Sequence, residues 1–239
     1  MTTNIGKKEQ VRIMFDNIAH KYDFLNHFLS AGIDRGWRSK MVKMVAKNKP
    51  TAVLDVATGT ADLAIALAKY TSSPIVGIDI SNGMLDIGRE KIKYRGRSQQ
   101  IMLQQADSED LPFEEGRFDV VMVAFGVRNF ETLDKGLSEM QRVLRSGGMV
   151  AILEFSRPRT FPIKQLYQFY FKFMLPFLGR LISRDKSAYT YLPDSVGQFP
   201  DGHDFLNHLH QAGFDKTSER RLSFGIATIY TGHKMMPGQ

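Results

Sequence analysis

The sequence contains no cysteine. This absence excludes disulfide bonds, a cysteine nucleophile, iron–sulfur clusters and every zinc site that uses a thiolate ligand. The six histidines are scattered along the chain and give no spaced metal-binding motif. We therefore predict no metal centre.

Long uninterrupted apolar runs are also missing. The N-terminal stretch MTTNIGKKEQVRIMF has basic residues but no apolar run behind them, so it does not read as a secretory signal. The most apolar region, 161–182, is interrupted by Pro176 and carries Lys172. A lysine at the centre of a bilayer would cost roughly 2.5–3.5 kcal/mol. These features predict a cytoplasmic protein without a membrane span.

What the chain does have is an ordinary globular composition, with 239 residues, 43% of them hydrophobic and 24% charged. Its net charge of +7 is unevenly distributed. Residues 1–50 hold ten Lys and Arg against four Asp and Glu, and residues 157–191 hold seven against one, whereas residues 51–156 hold eleven against fifteen. Two basic flanks around an acidic centre predict contact with an anionic partner such as phosphate groups or lipid headgroups. The alternative is ordinary solvated surface charge.

Periodicity predicts an α/β fold. Apolar residues at helical spacing indicate one or two amphipathic helices over residues 9–30. Further along, short β-branched runs alternate with helical stretches every 20–25 residues, which is typical of a doubly wound, mostly parallel sheet covered on both faces. The predicted strands cover residues 52–56, 74–79, 101–107, 118–125 and 148–155, and a helix closed by Gly213 precedes a terminal strand over 224–234.

The chain divides into four predicted parts. These are an N-terminal helical cap (1–50), a Rossmann-like core (51–156), an aromatic helical insertion (157–192), and a C-terminal helix with strands that complete the core (193–239). The insertion has seven aromatic residues between 161 and 182, and its few polar side chains fall in one narrow helical stripe. We expect it to form a roof over an apolar ligand, with a simple packing helix as the alternative.

The end of the first predicted strand indicates a nucleotide-related site. In doubly wound sheets the ligand lies at the carboxyl ends of the strands, where a turn leads into a helix. That turn runs here from Asp55 to Asp62, and Gly59 is its only glycine, with Ala57 and Ala61 at the flanking positions. A dinucleotide fingerprint therefore fits poorly, and a smaller zwitterionic ligand fits better.

Two further strand ends carry suitable polar residues. Asp79 closes the second strand, where a carboxylate can accept both hydroxyls of a ribose, although it could instead cap a helix. Asp107 and Ser108 close the third strand, where the adenine edge of a nucleoside would lie. Together the three strand ends predict a nucleoside-binding site.

Four motifs occur in order along the chain: KYDFLN (21–26), GIDRGWR (32–38), FGVRN (125–129) and LEFSRP (153–158). With this set, the sequence resembles the UbiE/MenG/Coq5 family of quinone-biosynthesis C-methyltransferases over nearly its whole length. The resemblance implies a class I S-adenosylmethionine-dependent methyltransferase fold, with S-adenosylmethionine as the methyl donor and a polyprenylated quinol as the acceptor. The donor-binding positions of the family fall on Thr60, Asp79, Asp107 and Ser108. A further position, often serine in the family, is Ala124 here.

Three residues are candidates for the chemistry. FGVRN follows the fourth predicted strand, so Arg128 and Asn129 are expected where donor and acceptor meet. A ring carbon becomes nucleophilic when the quinol is deprotonated toward a phenolate, which Arg128 could stabilise and Asn129 could hold by a hydrogen bond. Arginine is too basic to remove the proton unaided. Tyr22 is expected to act as a lid over the ring. The alternatives are an ion pair for Arg128 and a core position for Tyr22.

Neighbouring residues have weaker predicted roles. His20 and Asp23 flank Tyr22 and could relay a proton, but a structural role is favoured for each. Glu154, at the end of the fifth predicted strand, could border the acceptor pocket, and Trp37 is expected to pack within the cap.

Two other classes of function compete with this interpretation. The basic flanks would suit a nucleic-acid methyltransferase. However, enzymes that methylate amino groups of bases tend to carry an Asn/Asp-Pro-Pro-aromatic turn at the place where this chain has FGVRN. Enzymes that methylate carbon 5 of pyrimidines need a cysteine, which this chain lacks. The other competitor is a non-catalytic lipid-binding protein. We predict no nucleic-acid partner and transient contact with the inner face of the cytoplasmic membrane. A naphthoquinol is favoured over a benzoquinol as acceptor, and the sequence leaves the oligomeric state open.

Overall fold

The computed structural model describes residues 6–30, 32–170, 173 and 187–236. The first part of the chain forms α1 (Lys7–Leu29), α2 (Ile33–Lys47), β1 (Val53–Val56), α3 (Asp62–Leu67), β2 (Ile75–Asp79), α4 (Asn82–Tyr94) and β3 (Ile101–Gln105). The remainder forms β4 (Phe118–Ala124), a short 3-10 helix (Val127–Asn129), α5 (Leu133–Val143), β5 (Leu144–Phe155), α6 (Ile163–Phe169), α7 (Ser187–Gln198), α8 (His203–Gln211), β6 (Phe214–Leu222), a second 3-10 turn (Ser223–Gly225) and β7 (Ala227–Lys234).

The seven strands form one sheet in the order β3-β2-β1-β4-β5-β7-β6. Strands β1 to β5 are parallel to one another, and β7 runs antiparallel to both β5 and β6. The chain moves outward from β1 to β3 and then returns to the other side of β1, so the switch point lies between β1 and β4. The predicted doubly wound, mostly parallel sheet with an antiparallel terminal strand is confirmed.

Strand β6 lies outside the individually predicted strands. Its sequence, FDKTSERRL, buries only Phe214 and Leu222, at its two ends. An edge strand with charged residues between those ends lacks the apolar alternation on which strand prediction depends.

Helix α2 is part of the main core. Met41, Val42 and Val45 are fully buried and belong to the same apolar cluster as residues of β1, β4 and β5. Thus the second half of the predicted N-terminal cap covers one face of the sheet, while α1 extends over its carboxyl edge.

Helix α4 begins at a serine N-cap, Ser81. The Ser81 hydroxyl accepts a hydrogen bond from the Met84 amide at 3.1 Å, which satisfies one of the open N–H groups of the first turn. The same hydroxyl donates to Asp16 of α1 at 2.5 Å. The N-cap therefore also joins α4 to α1.

Polar side chains fix α1 above the sheet edge. Lys8, Asp16 and Asp23 are spaced seven to eight residues apart, about two helical turns, so they lie on one side of α1. Their partners, in order, are Asp107, Ser81 and Thr60, at 2.7, 2.5 and 2.5 Å. Since these partners follow β3, β2 and β1, the helix crosses the carboxyl ends of three adjacent strands.

The predicted aromatic insertion is described only in part. Helix α6 has no buried residue. The stretches 171–172 and 174–186, which include Lys172 and Pro176, lie outside the described residues. Of the helices that are described, none is long and apolar enough to cross a membrane. Nor does any group of three or more His, Asp and Glu side chains in the described ranges have a metal-binding arrangement.

Close packing of α4 against the sheet gives a testable prediction for Gly88. A Cβ atom at this position would lie 2.7 Å from Leu103 Cδ1 and 3.3 Å from the Thr60 carbonyl carbon. We expect Gly88→Ala to lower the free energy of unfolding by about 1–3 kcal/mol. Gly36 in α2 is the matched control, because nothing lies within 4 Å of its Cβ position, and Gly36→Ala should raise that free energy by roughly 0.5–1 kcal/mol. Urea unfolding measures both, and equal stability of Gly88→Ala and the wild type would contradict the packing argument.

Candidate active site

The turn after β1 has an unusual backbone. Gly59 has a φ of 56°, and Ala57 and Ala61 also take left-handed values, 50° and 65°. A left-handed conformation costs an alanine about 1–2 kcal/mol. The Thr58 amide donates to the Ile78 carbonyl at 2.8 Å and helps to hold the turn in this shape. The two alanines thus occupy a conformation that glycine would adopt at lower cost, so the turn is strained at both positions.

Asp79 links this turn to the second strand. One carboxylate oxygen accepts from the Gly59 amide and the other from the Ser81 amide, each at 2.9 Å. Burial raises the pKa of Asp79 to about 6, although these amide bonds oppose the shift. Each carboxylate oxygen has a further lone pair, so both hydroxyls of a ribose can still be accepted.

A cavity of about 690 Å³, including its open mouth, lies beside Asp79. The residues lining it include four predicted donor contacts, Gly59, Asp79, Asp107 and Ser108, and also side chains of α1, namely Lys8, Val11, Phe15 and Tyr22. We refer to this space as the donor cavity.

Lys8 is a donor-cavity residue that sequence reasoning missed. Its ammonium group forms ion pairs with Asp107 at 2.7 Å and with Glu109 at 3.3 Å. The bond to Asp107 is the principal cause that raises the pKa of Lys8. Lys8 and Asp107 are far apart in the chain. The excess of Lys and Arg in residues 1–50 indicates an anionic partner but does not identify Asp107.

A smaller space of about 330 Å³ adjoins the donor cavity under Tyr22. The two spaces share Tyr22, Ala57, Gly59 and Ala124, whereas Asp55 and Thr60 line only the smaller one. We call this smaller space the inner pocket. One extended ligand could therefore contact all the residues that were predicted to bind the donor.

Thr60 makes contacts that bear on its predicted role. Its hydroxyl donates to Asp23 at 2.5 Å and accepts from Lys91 at 3.0 Å. Asp23 also pairs with Lys91 at 2.7 Å. This hydroxyl therefore ties the turn to α1 and α4, and a direct side-chain bond to the donor remains a prediction.

Asp55 has an orphaned carboxylate oxygen. It is fully buried, its Oδ2 accepts from the Thr58 hydroxyl at 2.7 Å, and the Ala64 amide also stabilises the carboxylate, whereas Oδ1 has no partner at hydrogen-bond distance and angle among the described residues. Burial raises the pKa of Asp55 to about 7. A buried acceptor without a partner suits a ligand that brings a donor, such as an ammonium group. The residues present therefore fit S-adenosylmethionine, with Asp55 for its ammonium group, Asp79 for its ribose and the Asp107–Ser108 end for its adenine.

The FGVRN motif packs directly against the turn after β1 (Asp55 to Asp62), which we call the donor turn. Phe125 takes a left-handed φ of 61°. A Cβ atom on Gly126 would lie only 2.6 Å from the Ala57 Cβ atom, so glycine permits this close approach. The motif then enters the 3-10 helix, which carries Arg128 and Asn129.

Arg128 forms a buried ion pair, which is the alternative role predicted for it from the sequence. Its Nη1 lies 2.8 Å from Glu154 Oε1, and the two side chains are 7% and 0% exposed. Burial raises the pKa of Glu154, while Arg128 opposes that shift. The Arg128 Nε is buried and has no hydrogen-bond partner in the described part of the chain. The guanidinium group is thus positioned by Glu154, and its Nε–H group can still donate a hydrogen bond to an oxygen atom.

Asn129 and Arg128 border different cavities. Asn129 lines the donor cavity, whereas Arg128 lines a neighbouring cavity of about 890 Å³, which we call the second cavity. The Asn129 Oδ1 accepts from the Tyr191 hydroxyl of α7 at 3.0 Å, and Tyr191 also lines the second cavity. Tyr191 was not identified individually, since its partner lies 62 residues away.

The remaining candidates occupy distinct places. Tyr22 borders both donor spaces and packs edge-on against Phe15, with ring centroids 5.8 Å apart. His20 is exposed on α1. Trp37 is buried and lies 6.2 Å, centroid to centroid, from both Phe125 and Phe155.

The strand order and the cavity at the switch point define the fold of class I S-adenosylmethionine-dependent methyltransferases. A protein from Thermotoga maritima, described as an S-adenosylmethionine-dependent methyltransferase, has the same fold with a TM-score of 0.68 at 16% sequence identity, covering 93% of this chain and 99% of that one. The model of the ubiE/COQ5 methyltransferase family matches residues 3–234, and the chain belongs to this family.

Named relatives are similar over almost their full length. A demethylmenaquinone methyltransferase from Bacteroides fragilis is 51% identical over 235 residues, which cover 97% of this chain and 96% of the relative. A ubiquinone/menaquinone biosynthesis C-methyltransferase UbiE from Geobacter sulfurreducens is 47% identical over 230 residues, covering 95% and 90%. The predictions of fold, family and S-adenosylmethionine-dependent methyltransferase class are confirmed.

The raised pKa of Asp79 predicts that donor binding depends on pH. A protonated Asp79 cannot accept both ribose hydroxyls, so lowering the pH from about 7 to about 5 should weaken S-adenosylhomocysteine binding roughly tenfold. Asp79→Asn should bind weakly at every pH. Asp86→Asn, an exposed change on α4, should retain the wild-type profile.

Isothermal titration calorimetry between about pH 5 and pH 8 would measure these affinities. Because the pKa of Asp79 is raised in the folded chain, protonation of this group favours folding, and its titration does not explain any loss of stability in acid. An Asp79→Asn variant with the wild-type pH dependence would contradict the assignment.

Proposed function

We propose that this chain transfers the methyl group of S-adenosylmethionine to a ring carbon of demethylmenaquinol and so forms menaquinol. The observation that carries the proposal is the placement of Asn129 and Arg128, on consecutive positions of one 3-10 helix, toward the donor cavity and the second cavity. The names of relatives at 44–51% identity support a demethylmenaquinone acceptor.

The second cavity has features suited to a quinol ring. Its lining combines apolar and polar side chains. The apolar ones are Val127, Phe130, Leu133, Phe199 and Pro200, and the polar ones are Lys7, Arg128, Glu131, Tyr191, Asp194, Ser195 and Gln198. A phenolate oxygen that reached Arg128 would meet a guanidinium group held in place by Glu154. Desolvation at this buried position would strengthen that attraction.

S-adenosylmethionine supplies an electrophilic sulfonium methyl group when it is bound. Arg128 would stabilise the phenolate that makes the ring carbon nucleophilic, and Asn129 would orient a ring oxygen toward the donor side. Methyl transfer would leave S-adenosylhomocysteine and the methylated quinol, and the one proton lost overall, from the methylated ring carbon, would be released to water. Neither a covalent enzyme intermediate nor a cysteine is needed.

A benzoquinol is the second candidate acceptor. The Geobacter sulfurreducens relative has both ubiquinone and menaquinone in its name. The two acceptors differ by one ring, which the shape of the pocket would distinguish.

An assay with labelled methyl donor tests the proposal. We expect the reduced naphthoquinol to be labelled and its oxidised form not to be, because only the quinol can form a phenolate. Reduced benzoquinol, with and without a prenyl tail, is assayed alongside. Equal labelling of oxidised and reduced naphthoquinol would contradict the phenolate step, and labelling of the benzoquinol alone would change the acceptor.

The same assay separates the role of Arg128 from donor binding. Arg128→Ala should lower turnover by roughly 10²-fold, as loss of one preorganised charge-stabilising group does in other enzymes. Its affinity for S-adenosylhomocysteine should stay within about twofold, since Arg128 does not line the donor cavity. Arg89→Ala, which removes an exposed arginine from α4, is the matched control. Equal losses of turnover in Arg128→Ala and Arg89→Ala would contradict a role for Arg128 in stabilising the phenolate.

We further propose that the predicted insertion attaches the protein reversibly to the inner face of the cytoplasmic membrane. Phe161, Leu166, Phe169 and Phe173 are all more than half exposed, and Phe161 is 80% exposed. Arg157 and Arg159 have exposed side chains beside this apolar surface. Exposed aromatic residues next to positive charge suit an anionic bilayer, which would also hold a polyprenylated substrate.

Vesicle sedimentation tests this attachment. The protein should bind vesicles that contain phosphatidylglycerol more tightly than pure phosphatidylcholine vesicles, and high salt should release it. A Phe161→Ser/Phe169→Ser variant should lose most of the binding while its donor affinity is unchanged. Tyr94→Ser removes an 86% exposed aromatic from α4 and serves as control. Wild-type sedimentation by the double variant would exclude this surface.

A further inference from the structure

Arg38 is a buried cation next to the donor turn with no role in the function described so far. It belongs to the GIDRGWR motif, lies on α2 and is 8% exposed. Its side chain lines the inner pocket together with Asp55, Gly59 and Thr60. A charge buried at such a place requires compensation.

Asp34 and Phe125 orient the Arg38 guanidinium group. Arg38 Nη1 donates to Asp34, one helical turn earlier, and Asp34 is itself 2% exposed and accepts from the Ser30 hydroxyl at 2.7 Å. The Arg38 Cζ lies 5.4 Å from the centroid of the Phe125 ring. A guanidinium group has five N–H donors, so one bond to Asp34 leaves capacity for a second anion.

Other charged residues at this pocket are arranged differently. Asp62 pairs with Lys91, which also pairs with Asp23. Asp55, by contrast, has the orphaned oxygen described above, and Arg38 is close enough to act on it electrostatically. The inner pocket therefore presents a guanidinium group and a carboxylate with an open position, which matches the two charges of an α-amino acid.

We infer that Arg38 binds the carboxylate of the amino-acid moiety of the methyl donor, while the orphaned oxygen of Asp55 accepts from its ammonium group. This inference rests on the proposed use of S-adenosylmethionine and adds a specific contact to it. It also gives the GIDRGWR motif a role in donor recognition, because α2 holds the arginine that closes the inner pocket.

Two ligands isolate the proposed contact. S-adenosylhomocysteine has the carboxylate, and its decarboxylated analogue lacks only that group. The wild-type chain should bind S-adenosylhomocysteine about 10- to 100-fold more tightly than the analogue, as expected for loss of charge-assisted hydrogen bonds. In Arg38→Gln this preference should fall to about twofold or less, through loss of S-adenosylhomocysteine affinity alone. Isothermal titration calorimetry gives the four dissociation constants without any methyl acceptor.

Three variants separate recognition from folding. Arg38→Gln removes the ion pair between Arg38 and the buried Asp34, so Asp34→Asn/Arg38→Gln is measured as well, because it removes both charges. Arg38→Lys should restore part of the preference. Arg35→Gln, an exposed change one turn away on α2, should retain the full wild-type preference. Thermal unfolding of each variant checks that it is folded.

The outcomes distinguish this inference from the proposed function. If Arg38→Gln and the double variant lose affinity for both ligands by the same factor, Arg38 does not bind the carboxylate. The same conclusion follows if a folded double variant keeps the preference for S-adenosylhomocysteine over its decarboxylated analogue. A wild-type chain that shows the preference but methylates no quinol would leave the inference standing and overturn the proposed function. A wild-type chain that binds both ligands equally would overturn the inference by itself.

Discussion

Burial of carboxylates at the carboxyl edge of the parallel sheet is the constraint on which the rest of the site depends. Asp55, Asp79 and Glu154 lie on three different strands, and burial disfavours the ionised form of each. Each is compensated differently: Asp79 by backbone amides, Glu154 by Arg128, and Asp55 in part by the Thr58 hydroxyl and the Ala64 amide. Asp79 thereby joins the turn after β1 to the start of α4, and Glu154 joins the FGVRN motif to β5.

The N-terminal helix illustrates how polar contacts determine where an amphipathic element lies. Apolar spacing predicts that α1 packs on something apolar, but many positions over the sheet edge would satisfy that requirement equally well. Lys8, Asp16 and Asp23 resolve the ambiguity, because each has a specific charged or hydroxyl partner at a different strand end. The same helix then contributes Phe15 and Tyr22 to the wall of the donor cavity.

Methyl transfer requires that two unlike ligands meet at one point, and the 3-10 helix after β4 provides that point. Its consecutive residues Arg128 and Asn129 border separate cavities, so one short segment contacts both sides. Glu154 from β5 and Tyr191 from α7 fix the orientation of these two side chains. The boundary between the cavities is therefore built from three parts of the chain that are distant in sequence.

Strand and helix periods and turn residues are local properties, so the amino-acid pattern predicts the doubly wound fold, the turn after β1, the strand-end residues Asp79 and Asp107, and the importance of FGVRN. The folded chain was needed to show that Thr60 bonds to Asp23, that Arg128 pairs with Glu154, that Tyr191 holds Asn129, and that Lys8 and Arg38 line the donor spaces. Strand β6 is likewise recognised only in the folded chain, because a polar edge strand is identified by its pairing with a neighbouring strand, here β7. The physical reason is that the partner of a buried polar group is selected by distance in space, which a one-dimensional pattern does not contain.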